Sequence, residues 1–128
     1  MEENTMTIMI IDDDEPIRKS LQFLLTCEGY TVEIANNGND ALKRLETVKP
    51  KIILLDIMMA PMDGLTFLNE LTQQGRQKDY AIFVMTAMAG IADDLNEMRQ
   101  QKIIRDFVIK PFIFSEKLLK DFHEICRV

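Results

Sequence analysis

Four acidic residues in succession, Asp12-Asp13-Asp14-Glu15, follow the apolar run MTIMII and lead into Pro16. Like charges held this close favour protonation of some of their number unless something positive shares the site. A cation, a helix end or a basic side chain must therefore lie near. Three later segments have the same form, an apolar run that stops at a reactive side chain: KIILL at Asp56, AIFVM at Thr86, and FVI at Lys110, which Pro111 follows. Carboxylates are hard oxygen ligands, and Mg²⁺ is typically held by one or two of them, with waters and phosphate oxygens completing its shell. Bound there, a divalent cation also removes the repulsion within the acidic turn. If these runs are strands ending at one edge, the site holds a divalent cation with an ammonium beside it.

The elements that would do this positioning are legible as alternating patterns. Apolar runs at 6–11, 30–35, 51–55, 81–85 and 107–109 suit strands of a parallel sheet covered on both faces. Between them the apolar residues shift to helical spacing: Ile17, Leu21, Leu24 and Leu25; Ala41, Leu42 and Leu45; Leu65, Leu68 and Leu71; Ile91, Leu95 and Met98; then Leu118, Leu119, Phe122, Ile125 and Cys126. Pro16 sits just inside the first helix, and Gly29, Asn37-Gly38 and Gly75 punctuate connections. Five β-α units in succession predict an α/β fold, a doubly wound parallel sheet with helices on both faces. In such sheets a site forms beyond the carboxyl ends of the strands, near a topological switch point.

Composition narrows the function classes. With 128 residues, 47% hydrophobic and 28% charged, the chain is expected to form one domain over 1–128, able to bury a core without metal or disulfide staples. A net charge of −6, with no long Lys/Arg run, argues against direct nucleic-acid binding. Cys27 and Cys126 have no metal-ligand spacing and are expected to be buried, reduced thiols. The acidic start MEENTMT lacks a signal-peptide core, and no apolar run approaches the roughly eighteen residues of a membrane span, so a cytoplasmic location is expected.

Taken together, IIDDDEP, LLDIMMAPMDG, VMTA and FVIKPF resemble the receiver domain of bacterial two-component response regulators, in the expected order and across the whole chain. The resemblance implies a flavodoxin-like, chemotaxis-regulator-like fold with five strands in the order 2-1-3-4-5. It implies that Asp56 accepts a phosphoryl group from a sensor histidine kinase or phosphotransfer protein. Asp13 would ligate Mg²⁺ directly and Asp12 partly through water, with the backbone carbonyl of Met58 as a further ligand, while Lys110 pairs with phosphoryl oxygens. Because Ile11 is followed immediately by Asp12, the acidic pair is assigned to Asp12 with Asp13, leaving Asp14 to cap the helix that Pro16 opens; a shift to Asp13 with Asp14 is the alternative.

By the same resemblance Thr86 donates its hydroxyl to the phosphoryl group, Phe107 turns inward, and the surface of the fourth helix, fifth strand and fifth helix changes for an output domain, a downstream protein or a second copy. Catalysis would be confined to the chain's own phosphorylation and slow dephosphorylation. Met58 and Met88 occupy positions that influence water attack on the acyl phosphate, and neither side chain can orient a water. A long phosphoryl lifetime is therefore expected. Two departures stand out: Ala60 precedes Pro61 in the loop after Asp56, and Ile103-Ile104 put bulk at the end of the fourth helix, as core or as a docking patch. The alternative function is a degenerate receiver acting as an interaction module, against which the retention of Asp12, Asp13, Asp56, Thr86 and Lys110 weighs. A phosphatase with an aspartyl-phosphate intermediate would want an acid where Met58 stands, and a flavin protein a Ser, Thr or Gly loop where the aspartates stand.

Overall fold

A computed structural model describes residues 7–57, 64–86, 89–109 and 116–126. The strands are β1 (Thr7–Ile11), β2 (Thr31–Ala35), β3 (Ile52–Asp56), β4 (Ala81–Thr86) and β5 (Asp106–Ile109), and the helices are α1 (Glu15–Cys27), α2 (Gly38–Arg44), α3 (Gly64–Gln73), α4 (Ala92–Gln100) and α5 (Glu116–Cys126). All strand pairs are parallel, in the order β2-β1-β3-β4-β5. Every residue of β1 and β3 is buried, as continuous apolar runs require of strands covered on both faces. At the edge, β2 carries the half-exposed Glu33.

Alternation of side chains divides the core in two. Met9, Ile11, Ile53, Leu55 and Val84 face Ala41, Phe67, Leu71 and Leu95 of α2, α3 and α4. Ile8, Ile10, Ile52, Leu54, Phe83 and Met85 face Leu21 and Leu25 of α1 and Leu118 and Phe122 of α5. Phe83 and Phe122 meet edge to face at 5.0 Å between centroids.

Local chemistry starts and stops the helices. Asp14 caps α1, its carboxylate accepting from the Ile17 N–H at 3.2 Å, with Pro16 in the first turn. At α2 the cap is reciprocal: Asn37 accepts from the Asp40 N–H at 2.9 Å while Asp40 accepts from the Asn36 N–H at 3.1 Å. Burial alone would raise the Asp40 pKa, but the Asn36 N–H and the Arg44 guanidinium outweigh it and hold the carboxyl below its usual value. Gly29 (φ 95°) and Gly75 (φ 69°) close α1 and α3 in the left-handed conformation. Behind α1, Tyr30 stacks on His123 and its hydroxyl lies 2.9 Å from Nδ1; burial, with Cys126 and Glu28 nearby, pushes the Tyr30 phenol up to about 12.

Three apolar expectations are corrected. In α3 the inward stripe is Gly64, Phe67, Leu68 and Leu71, and Leu65, about 100° further round the helix than Gly64, is 39% exposed. On α1 the buried residues are Leu21 and Leu25, so Leu24 falls at the margin of the stripe and is 45% exposed. Cys27 follows Leu25 by about 200° of helix and is exposed, not buried; Cys126 is buried as expected. Ile104 belongs to the core and Ile103 is half-buried against it, so this bulk serves packing. Among the described residues no helix is long and apolar enough to cross a membrane.

Candidate functional site

The sheet winds outward in both directions from β1, and its switch point lies between β1 and β3. Their register pairs Ile11 with Leu55, so the residues that follow each, Asp12 and Asp56, stand level at the carboxyl edge. Asp13 is one residue beyond. One carboxylate oxygen from each of Asp12, Asp13 and Asp56 lies within 4.8 Å of the others. Asp12 and Asp56 are buried and Asp13 is exposed. Of the two registers that the sequence allows, the convergence involves Asp12 with Asp13, while the Asp14 carboxylate is occupied at the helix cap.

Backbone hydrogen bonds hold this geometry. The Asp12 N–H donates to the Ala35 carbonyl at 3.3 Å, tying the acidic turn to the end of β2, and the Ile57 N–H donates to Met85 at 3.2 Å. The Asp12 carboxylate accepts from the Asp14 N–H at 2.9 Å. Positive character comes from two sources. The amino end of α1, where the helix dipole favours negative charge, starts at the acidic turn. From the first turn of that helix, Arg18 reaches back, its Nη1 donating to the Asp12 carbonyl at 2.8 Å.

Thr86 ends β4 and is fully buried, one residue past Met85, which pairs with Asp56. Phe107 pairs with Val84 in β5, and alternation puts its side chain on the same sheet face as Val84 and Thr86. Its ring is partly buried in the core shared with α4, and the Arg99 guanidinium sits 5.8 Å above the ring centroid while donating to Asp106 at 3.1 Å. Met58, Met88 and Lys110 lie outside the described residues.

Two residues that matter here escaped the sequence reading. Arg18 had as its only signal a basic side chain shortly after an acidic run. Gly64 opens α3 directly against the end of β3: a Cβ there would stand 2.6 Å from the Asp56 carbonyl oxygen and 2.6 Å from the Ile57 Cα. Its N–H donates to the Ile57 carbonyl at 2.9 Å. Only a residue without a side chain allows the helix to approach Asp56 this closely. The signal available was a glycine eight residues after the acceptor-like aspartate, and its meaning required the tertiary approach of α3.

Comparison with known proteins agrees with this geometry. Residues 8–122 match the family model described as the response regulator receiver domain. The chain is 33% identical over 116 residues to response regulator MprA of Mycobacterium ulcerans, covering 91% of this chain and 48% of that protein. To the same protein of Mycobacterium leprae it is 34% identical over 115 residues, covering 90% and 49%. It therefore spans about half the length of these curated relatives. Among solved structures, the response regulator TrrA of Thermotoga maritima, in complex with Mg²⁺-BeF, superposes with a TM-score of 0.76 at 28% identity, over 93% of this chain and 97% of that one. A two-component response regulator from Clostridium difficile gives a TM-score of 0.79 at 26% identity, over 94% and 95%.

Proposed function

Because the chain belongs to the response regulator receiver domain family, we propose that it is a phosphorylation-dependent switch whose acceptor is Asp56. The convergence of the Asp12, Asp13 and Asp56 carboxylates within 4.8 Å carries this reading. Three hard oxygen donors, two of them buried beside one another, fit a divalent cation of the Mg²⁺ type. Asp12 and Asp13 would hold it with Asp56 and the Met58 carbonyl; when bound it supplies the positive charge that offsets the carboxylates and the phosphoryl oxygens.

Phosphoryl transfer asks the protein mainly for position and charge. In this reading Asp56 attacks: a bond forms between its carboxylate oxygen and phosphorus as the phosphorus–nitrogen bond of a partner's phosphohistidine breaks, and the imidazole leaves with the electron pair and takes a proton. The buried Thr86 hydroxyl donates to a phosphoryl oxygen and the Lys110 ammonium pairs with another. Arg18, bound to the Asp12 carbonyl, holds the acidic turn in place during the exchange.

With the phosphoryl group present, Thr86 moves toward it and Phe107 occupies the released space on the same sheet face. The surface of α4, β5 and α5 then differs between the two states, for an output domain, a downstream protein or a second copy. The phosphoryl group shifts that equilibrium only by its differential interaction with the two states. The test is labelling by acetyl phosphate. The native chain should be labelled when Mg²⁺ is present and lose the signal when it is chelated, and Asp56→Asn should reduce labelling by about 100-fold or more, as loss of a nucleophile does. Equal labelling of the variant would remove Asp56 from the role.

A further inference from the structure

The opposite end of the sheet carries a feature that phosphoryl acceptance leaves unexplained. A cavity of about 570 Å³ opens at the amino ends of β3, β4 and β5, within the size range of small-ligand sites. Lys51, Lys78, Arg99, Lys102 and Arg105 line it, with Asp79 the single acid. A third of the chain's fifteen Lys and Arg residues thus meet at one cavity, against one of its twenty-one acids, in a protein of net charge −6. Arg99 is paired with Asp106 at 3.1 Å, whereas among the described residues no carboxylate lies within ion-pair distance of Lys51, Lys78, Lys102 or Arg105. Apart from Gln77 and Ala81, the remaining wall is apolar and aromatic, from Tyr80, Ile103, Ile104 and Ile125.

One backbone detail sets this end apart. Three helices end in the same hydrogen-bonded turn: Tyr30 N–H to Leu25 and Gly29 N–H to Thr26; Arg76 to Leu71 and Gly75 to Thr72; Ile103 to Met98 and Lys102 to Arg99. The left-handed position of this turn is glycine in the first two and Lys102 (φ 65°) in the third. Glycine is the unstrained residue there, so the chain keeps a cation at the cavity mouth against its conformational preference. Gln77 also lines the wall, with its Oε1 buried away from the cavity.

We propose that this cavity binds a nucleoside polyphosphate, its phosphates among Lys78, Lys102 and Arg105 and its base against Tyr80 and the isoleucines. The site is independent of Asp56: β4, of six residues, separates the two ends by roughly 17 Å.

The probe is ATP, titrated calorimetrically into the full chain at low ionic strength with a chelator present, so that divalent chemistry at the carboxyl end is silent. Saturable one-to-one binding is expected, weakened about tenfold or more in Lys78→Gln/Arg105→Gln, which removes two charge-assisted contacts. Lys43→Gln, on helix α2 and outside the cavity lining, should bind as the native chain does. Lys102→Gly separates a ligand role from a structural one: it should raise the thermal midpoint by relieving the backbone while weakening ATP severalfold. Three results would overturn the proposal. ATP failing to saturate at millimolar concentration removes the site. Unaltered affinity in the double variant and in Lys102→Gly, with lowered stability, leaves the cations only to complement the carbonyl ends of α4 and α5. Tripolyphosphate binding as tightly as ATP would show that the cavity reads phosphate alone and refute the nucleoside part.

Discussion

At the carboxyl ends of β1, β3 and β4 the chain buries Asp12, Asp56 and Thr86, whereas at the amino ends of β3, β4 and β5 it sets Lys51, Lys78 and Arg105 in solvent. Parallel strands make this possible, because all their carboxyl ends gather on one edge and all their amino ends on the other. The energetics of the two ends differ. Two buried carboxylates in mutual range repel in a medium that screens poorly, so the acidic edge is held by the main chain, by Arg18 and by the helix end, and a bound cation would relieve the repulsion. Exposed ammonium groups are hydrated and screened, and they tolerate proximity without such supports. The carboxyl end should therefore be sensitive to small steric changes and the amino end mainly to changes of charge.

The strongest test of that asymmetry is Gly64→Ala. The added Cβ would meet the Asp56 carbonyl oxygen and the Ile57 Cα at 2.6 Å, and backbone cannot yield as a side-chain tip does. Overpacking of this kind should cost about 1–3 kcal/mol, read as a lower urea midpoint, together with reduced labelling of Asp56. Native stability and native labelling in the variant would mean that the close approach of α3 is not needed.

Next in size is the lifetime of the acyl phosphate. Met58→Asn combined with Met88→Glu supplies groups that can orient water, and decay of the phosphorylated chain should accelerate about tenfold, or 1.4 kcal/mol in the barrier. Unchanged decay would show that the two methionines do not limit hydrolysis. Asp14→Ala removes the cap of α1 and should cost about 0.5–2 kcal/mol. Because Asp14 caps rather than joins the acidic cluster, Mg²⁺ affinity should fall far less than in Asp13→Ala; an equal fall would move the acidic pair by one residue.

The smallest effect belongs to the amino end, where Tyr30 precedes β2. Its folded-state pKa is raised from 10.0 to about 12, so the fold favours the neutral phenol. That contribution is fully present below pH 10 and is lost as pH rises toward 12. The urea midpoint should fall across this window in the native chain and fall less in Tyr30→Phe. Equal slopes would assign the alkaline loss to other groups.

Much of this architecture could be read before any coordinates. Short apolar runs bounded by turn residues suit strands covered on both faces, and MTIMII, KIILL and AIFVM form the three central strands, shifted by at most one residue at their ends. The order of the strands followed from family resemblance, since periodicity says nothing about which strand lies beside which. Helix faces were less secure. Leu24 and Leu65 share the composition of buried leucines, yet their exposure depends on a rotation of the helix that only its contact with the sheet settles.

The candidate site divides in the same way. Local sequence showed that an acid follows β1 and another ends β3, and it offered Asp14, two residues before Pro16, as a helix cap, because capping and strand termination are decided within a few residues. Tertiary structure decided that Asp12 and Asp56 stand level, that Gly64 lies against the carbonyl of Asp56, and that cations from three separate segments converge at the far end. Those juxtapositions come from strand register and helix docking, which sum weak interactions between residues tens of positions apart and leave no mark on any short stretch of chain.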